Sequence, residues 1–283
     1  MAGSLYVVGT PIGNLEDMSV RAVRTLQEAD FIAAEATRVT GKLLNHLGLK
    51  EPMVSYHRHS GQGRSDELVA RLLGGEDCAL VTDAGTPAIS DPGEELVAQC
   101  AQQGIPVVAI PGACAFVNAL AVSGRPTGRF TFEGFLPMNK KNRRAHLESL
   151  QGEARTMLFH EAPHKLLATL KDLAETFGPD RRVALCRELT KLHEEVLRTT
   201  LGQAVAHYTE NPPKGEFVLV VEGAAPQQED HPTLEVGLAR VNRLRGDGWT
   251  TRDAMKEAAS RRCLTRQAPY DLAEDNQHDS VKA

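Results

Sequence analysis

The chain has 283 residues, enough for two ordinary domains and a small appendage, and its 41% hydrophobic and 24% charged residues describe a globular protein. A net charge of −5 argues against a protein that coats nucleic acid indiscriminately, though it leaves room for a local basic face. No basic segment precedes a long apolar run at the N-terminus, and no stretch approaches the ~18 apolar residues of a membrane span, so a soluble cytoplasmic protein is expected.

The first part of the chain alternates short β-rich runs with amphipathic helices. Leu5–Val8 and Phe31–Ala34 read as strands, with a helix between them that Ser19 caps and whose apolar face includes Val20, Val23 and Leu26. Met53–Tyr56 is a further strand, followed by a helix burying Leu68, Val69, Leu72 and Leu73. Cys78–Thr82 and Pro106–Ile110 are predicted strands, and Glu94–Gln103 and Ala113–Val122 predicted helices. This alternation predicts a mainly parallel sheet with helices on both faces, spanning residues 1–124.

Ser123–Gly128 is rich in turn residues and marks a change of domain. Beyond it, Phe130–Phe135, Thr156–His160, Val183–Arg187, Glu195–Thr200 and Glu216–Val221 read as strands. Helices are predicted near Lys141–Leu150 and through Leu166, Leu167, Leu170, Leu173 and Ala174. The last three strands follow one another with no helix recognised between them, which predicts a mixed sheet and a second α/β domain over 125–223. Residues 224–232 read as a linker, and 233–283 as a small helical module. Its helices are Leu234–Leu244, Thr251–Ser260 and Thr265–Ala273, with a frayed end from Glu274. The five cysteines, Cys78, Cys100, Cys114, Cys186 and Cys263, form no C-x-x-C pair and indicate neither a disulfide framework nor zinc. His57 and His59 form a His-x-His pattern with no third ligand nearby, so no metal is expected.

Three strand-to-helix loops are rich in Gly and Pro: Gly9–Leu15, Thr82–Gly93 and Ile110–Ala115. Each follows a predicted strand, so all three converge on the carboxyl edge of one sheet, where open α/β folds bind ligands. A single such loop is explained by a tight turn; three on one edge point to a shared small-molecule site. The first loop lacks both the G-K-[ST] ending of a nucleoside triphosphate site and G-x-G-x-x-G, which leaves the ligand open on pattern alone.

The segment Val81-Thr82-Asp83-Ala84-Gly85-Thr86-Pro87-Ala88-Ile89-Ser90-Asp91-Pro92-Gly93 resembles the signature of the tetrapyrrole methylase superfamily. Gly9-Thr10-Pro11-Ile12-Gly13-Asn14-Leu15 and Pro111-Gly112-Ala113-Cys114-Ala115 do so too. Further similarity lies in Phe132–Pro137, Arg187–Lys191 and Lys214–Glu216. The chain is most similar to the branch that methylates the ribose 2′-oxygen of a cytidine in the decoding region of small-subunit ribosomal RNA. The resemblance covers about Leu5 to Gly223, and more loosely Arg262–Arg266 and Tyr270–Ala273. It implies two α/β domains of tetrapyrrole methylase type, commonly dimeric, with S-adenosylmethionine in the cleft between them. Its expected RNA partner lies within the assembled ribosomal subunit. By position, Pro11, Asp83, Gly85, Thr86, Cys114 and Ala115 would line the cofactor, with residues near Phe159 and Leu189 closing over it. The third loop carries Ala113-Cys114 where the family often has Pro-Ser.

A ribose hydroxyl is a poor nucleophile, so a base or a nearby cation should assist it. Asp83 either faces the cleft or caps a turn, and Glu35 could face the cleft too. Lys191 and Lys214 are candidates for stabilising an oxyanion or holding a phosphate, or are surface lysines. Glu188 and Glu216 are candidate proton acceptors or structural ion-pair partners. Lys140, Lys141, Arg143 and Arg144, with Arg261, Arg262 and Arg266 in the tail, are expected to contact RNA phosphates. Two rival readings are methylation of a tetrapyrrole or other small molecule, and a helix-turn-helix regulator that would leave the three loops unexplained.

Overall fold

The computed structural model describes residues 2–58, 60, 62–225 and 234–260. The chain divides into two compact units, Met1–Ala224 and Ala225–Ala283. The first unit contains two five-stranded sheets.

The first sheet is built from β1 (Leu5–Val8), β2 (Phe31–Ala34), β3 (Met53–Ser55), β4 (Cys78–Val81) and β5 (Val107–Ile110). Its order is β3-β2-β4-β1-β5 and every pairing is parallel. The inner strands β2 and β4 are apolar at every position because helices cover both faces. Those helices are α1 (Val20–Glu28), α2 (Thr37–His46), α3 (Gln62–Leu73), α4 (Glu94–Gln102) and α5 (Ala115–Ser123). Ser19 caps α1, its side chain accepting from the Ala22 amide at 3.1 Å. The buried stripe of α1 is Ala22, Thr25 and Leu26, one i, i+3, i+4 row, and Val20 at the first helical position is 85% exposed. The expected face was therefore rotated, with only Leu26 in common. In α3, Leu68, Val69 and Leu72 are buried while Leu73 turns outward.

The second sheet comprises β6 (Phe130–Phe135), β7 (Thr156–Glu161), β8 (Arg182–Arg187), β9 (Glu195–Thr200) and β10 (Phe217–Val221), in the order β6-β7-β10-β8-β9. Only the β6–β7 pair is parallel, so the sheet is mixed. One side packs on α6 (Lys140–Ser149), α7 (Pro163–Phe177) and α8 (Leu201–Glu210), burying Met157, Phe159, Leu166, Leu170, Leu185 and Leu219. The other side holds Leu158, Ala184, Cys186 and Val218 against α5.

Two helices escaped the sequence reading. In α2, Thr40 and Leu44 are the buried residues. Helix α8 separates β9 from β10, correcting the expectation of uninterrupted strands. Thr200 closes β9 and caps α8, accepting from the Gln203 amide, and the strand-like Thr199-Thr200 ending together with Gly202 hid the stripe Leu201, Ala204 and Tyr208.

In the second unit, α9 (Leu234–Gly246) and α10 (Thr251–Ser260) share a small core of Val241, Ala254 and Ala258, and Thr250 caps α10 through the Asp253 amide. The expected third helix at Thr265–Ala273, the frayed end, and Cys263 lie outside the described residues. So does nearly all of the expected linker. No described helix is long and apolar enough to cross a membrane.

Candidate active site

The three Gly/Pro loops leave β1, β4 and β5, which are neighbours in the first sheet, so strand order itself brings them together. They also bind one another. Thr10 and Gly85 exchange both backbone hydrogen bonds, at 2.8 and 3.1 Å, tying the first loop to the second. The Thr86 hydroxyl donates to the Ala113 carbonyl at 3.1 Å, tying the second to the third. Gly9 and Gly112 meet backbone to backbone: a Cβ on Gly9 would lie 2.7 Å from Gly112 Cα, so neither position tolerates a side chain unless the loops separate.

Beyond these loops lies a cavity of about 410 Å³ between the carboxyl edge of the first sheet and the open side of the second. From the first sheet it is lined by Ile12, Glu35, Asp83, Ala84, Ile89, Ser90, Asp91 and Ala115. The second sheet supplies Phe135, His160, Glu161, Ala162, Cys186, Glu188, Leu189, Lys191, Glu216, Phe217 and Val218. The bulge of β6 between Phe132 and Gly134 carries that strand to the second loop, where a Cβ on Gly134 would lie 3.1 Å from Ser90 Oγ.

One wall is acidic. Asp83 Oδ1 accepts from the Ala36 amide at 3.1 Å, and Glu35 Oε2 accepts from the Asp83 amide at 3.3 Å, so each carboxylate is held by the other's strand end. Asp83 therefore both binds the start of α2 and faces the cavity. Asp91 completes this wall. Burial pushes its carboxyl up to about 6; Glu35 and Asp83 add to the rise, and Arg58 opposes it.

The opposite wall carries a cation. Lys191 Nζ donates to Glu188 Oε1 at 2.8 Å and Glu216 Oε2 at 2.9 Å. Burial works to lower the lysine's pKa, but the hydrogen bonds from the two carboxylates outweigh it, and the net shift is upward. Hydrogen bonding to Lys191 and the Glu216 amide in turn lowers the Glu188 pKa. Lys191 is thus a fixed ammonium and Glu188 a poor base. Gly13 of the first loop makes room for this lysine, since a Cβ there would meet Lys191 Cγ at 2.3 Å.

His160 lies between Phe132 and Phe135 in edge contacts, and burial lowers its pKa despite Glu216, so its imidazole is neutral near pH 7. The Cys186 thiol donates to the Ala119 carbonyl, and burial pushes it up to about 12, which leaves it inert.

Of the sequence-predicted residues, Asp83, Ala115, Glu188, Leu189, Lys191, Glu216 and also Glu35 meet at this cavity. Gly85, Thr86, Pro11 and Cys114 stand behind it in the interlocked loops, Cys114 at the start of α5. Phe159 is a correction. Its side chain is fully buried under α7, because strand alternation puts Phe159 on the helix-covered face and its neighbour His160 at the cavity. Lys214 is exposed and not among the lining residues. In the basic helix, Arg143 pairs with Asp172 of α7 at 2.9 Å and Arg144 with Glu148 at 2.8 Å, leaving Lys140 and Lys141 as its exposed ammonium groups. Arg261, Arg262, Arg266 and His59 lie outside the described residues. The sequence reading missed His160 and the individual weight of Asp91; the Ser90-Asp91-Pro92-Gly93 end of the second loop was the available signal. Among the described residues no group of three or more His, Cys, Asp or Glu is placed to hold a metal ion.

This pair of sheets has known counterparts. The chain matches the family described as Tetrapyrrole (Corrin/Porphyrin) Methylases over residues 4–205, and it belongs to that family. Within it, similarity is high to proteins named Ribosomal RNA small subunit methyltransferase I. The protein of that name from Synechocystis sp. is 50% identical, over 96% of this chain and 97% of its own length. Its namesake from Halalkalibacterium halodurans is 46% identical over 95% and 94%, and that from Thermotoga maritima 47% identical over 78% and 99%. Two solved structures share the fold. Uroporphyrin-III-C-methyltransferase from Thermus thermophilus has a TM-score of 0.54 at 22% identity, covering 77% of this chain and 94% of its own. The methyltransferase CobJ has a TM-score of 0.59 at 18% identity, covering 80% and 97%.

Proposed function

We propose that the protein transfers a methyl group from S-adenosylmethionine to the ribose 2′-hydroxyl of a cytidine in the decoding region of small-subunit ribosomal RNA. The observation that carries this is near end-to-end similarity to relatives bearing a ribosomal RNA small subunit methyltransferase name. The cavity is chemically suited to the donor. Its volume is that of a small-molecule site, with an apolar floor of Ile12, Ala115, Leu189 and Val218 and carboxylates at Glu35 and Asp83 to favour a cation. When bound, S-adenosylmethionine supplies an electrophilic methyl carbon and needs no metal.

The chain's own residues divide the remaining work. The loops and Leu189 hold the donor, and the two sheets act as domains on either side of the cleft. Lys191, fixed as a cation by Glu188 and Glu216, favours negative charge on the attacking oxygen or holds an adjacent phosphate. Lys140 and Lys141 on α6 meet RNA phosphates, with the tail arginines as a second contact. The substrate is the RNA within the assembled subunit, and the site of action the cytoplasm. A homodimer belongs to this reading as what the family resemblance implies. The tetrapyrrole reading has on its side the description of the matched family and likeness of fold to structures of 18–22% identity. A helix-turn-helix regulator would have no use for the cavity.

Mass mapping of ribosomal RNA from cells lacking the protein tests the proposal. The expected result is loss of one ribose methyl from a decoding-region cytidine, restored by the intact gene; an unchanged map refutes it.

A further inference from the structure

The register of β6 shifts by one residue at its bulge, pairing Phe132 with Leu158, Gly134 with Phe159 and Phe135 with His160. An unbroken strand would place Gly134 opposite His160 and turn Phe135 to the helix-covered side with Phe159. The bulge instead puts Phe135 on the cavity face, where it lines the mouth and is 59% exposed. Gly134, with a φ of +62°, lies against Ser90 of the second loop. Ser90 and Asp91 also line a second cavity, of about 450 Å³, walled by Tyr56, Ser65 and Glu95. Phe135 therefore stands where the two cavities meet, beside the donor's place and open to solvent. We propose that the Phe135 ring is a stacking platform for an unpaired nucleobase of the RNA, adjacent in the strand to the methylated nucleotide, with the lysines that follow it holding the phosphate.

The ring is fixed in place. Its T-shaped contact with His160, with centroids 5.3 Å apart and planes at 75°, uses an edge or one face and leaves the other face open. A single exposed apolar side chain is ordinary on a protein surface, but this one has company. Ile89, from the same lining, and Met138, in the turn after β6, are exposed too.

Cations surround this patch. Lys140 and Lys141 are exposed at the start of α6, and Lys165 of α7 sets its Nζ 2.7 Å from Met138 Sδ. Among the described residues none of these three lysines forms an ion pair, whereas Arg143 and Arg144 do. A flat apolar ring among unpaired ammonium groups matches single-stranded RNA, whose bases present π-faces and whose phosphates recur beside them. An apolar protein partner would leave the three ammonium groups unmatched. Stacking at Phe135 holds the strand splayed at the mouth, so that the neighbouring ribose reaches the donor.

This rests on the methyl-transfer reading, so the test uses the full-length protein with ribosomal small subunits lacking the methyl group. Wild type that binds S-adenosylmethionine but transfers no methyl to these subunits would sink the reading itself, and this proposal with it. Given wild-type transfer, Phe135→Leu keeps apolar bulk but loses the flat face, and should raise KM for subunits about 10–100-fold. Phe135→Trp keeps the face and should stay within about threefold of wild type. Calorimetric affinity for S-adenosylmethionine should be unchanged in both. Benzoylphenylalanine in place of Phe135 should crosslink on irradiation to ribosomal RNA beside the methylated cytidine. An unmoved KM in Phe135→Leu, an equal rise in Phe135→Trp, a parallel loss of donor affinity, or crosslinks confined to protein, a second copy of the chain included, would each overturn the proposal.

Discussion

Asp91 is half-buried beside two other carboxylates, and its pKa of about 6 lies above that of an unfolded aspartate, about 3.9. The native state therefore holds this proton more tightly. Stability from this group is full below about pH 4, declines as pH rises through 6, and is absent at neutral pH. Asp91→Asn removes the charge, so its melting temperature at pH 7.5 should exceed wild type by ~2–4 °C, the shift for ~1 kcal/mol after discounting for partial solvation. At pH 4 the difference should vanish. Calorimetric scans at both pH values check this, and equal melting temperatures at pH 7.5 would remove the argument. Lys191 shows the opposite arrangement, since its two carboxylate partners supply compensation and its charge is secure.

At the scale of elements, the site depends on the three loops fitting without side chains between them. Gly9→Ala places a Cβ 2.7 Å from Gly112 Cα, a backbone contact that cannot swing aside. A loss of ~1–3 kcal/mol in stability is expected from this overpacking, with donor affinity falling at least tenfold as the loops part. Denaturant unfolding and calorimetry measure the two effects; donor affinity equal to wild type would show that the loop contact does not shape the cavity. Helix α6 makes a separate prediction. With Arg143 and Arg144 engaged by carboxylates, reversal of Lys140 and Lys141 to Glu should weaken subunit binding and reduce its salt dependence by about two phosphate contacts, leaving the fold intact. An unchanged slope of affinity against salt would exclude α6 from the RNA surface.

Legibility differed from element to element. The Gly/Pro loops were readable because their composition departs from that of ordinary turns and each follows an apolar run. Phe159 was misassigned because residue type does not reveal which face of a doubly covered strand meets a ligand. His160 was overlooked since a single histidine in a strand has no spacing signal.

For the whole molecule, residues 1–224 form one compact unit holding both sheets and the cavity. The Thermotoga maritima relative is matched over 99% of its length by only 78% of this chain. A fragment ending at Ala224 should therefore fold cooperatively and bind S-adenosylmethionine within about threefold of the full chain, while any contribution of the tail arginines to subunit affinity is lost. Unfolding and binding measurements on the fragment decide it; a fragment that aggregates or fails to bind the donor would contradict the independence of the first unit.

The amino-acid sequence alone determined the alternation of elements, the parallel character of the first sheet and the loops that would face a ligand. These follow from local periodicity and from backbone demands that glycine and proline meet within a few residues. Only tertiary structure decided that β4, β1 and β5 are neighbours, that Lys191 stands between Glu188 and Glu216, and that Asp91 lines two cavities at once. The reason is physical: strand order and charge environment arise from contacts between residues far apart in the chain, and burial beside particular neighbours, not residue type, sets which carboxylate can accept a proton.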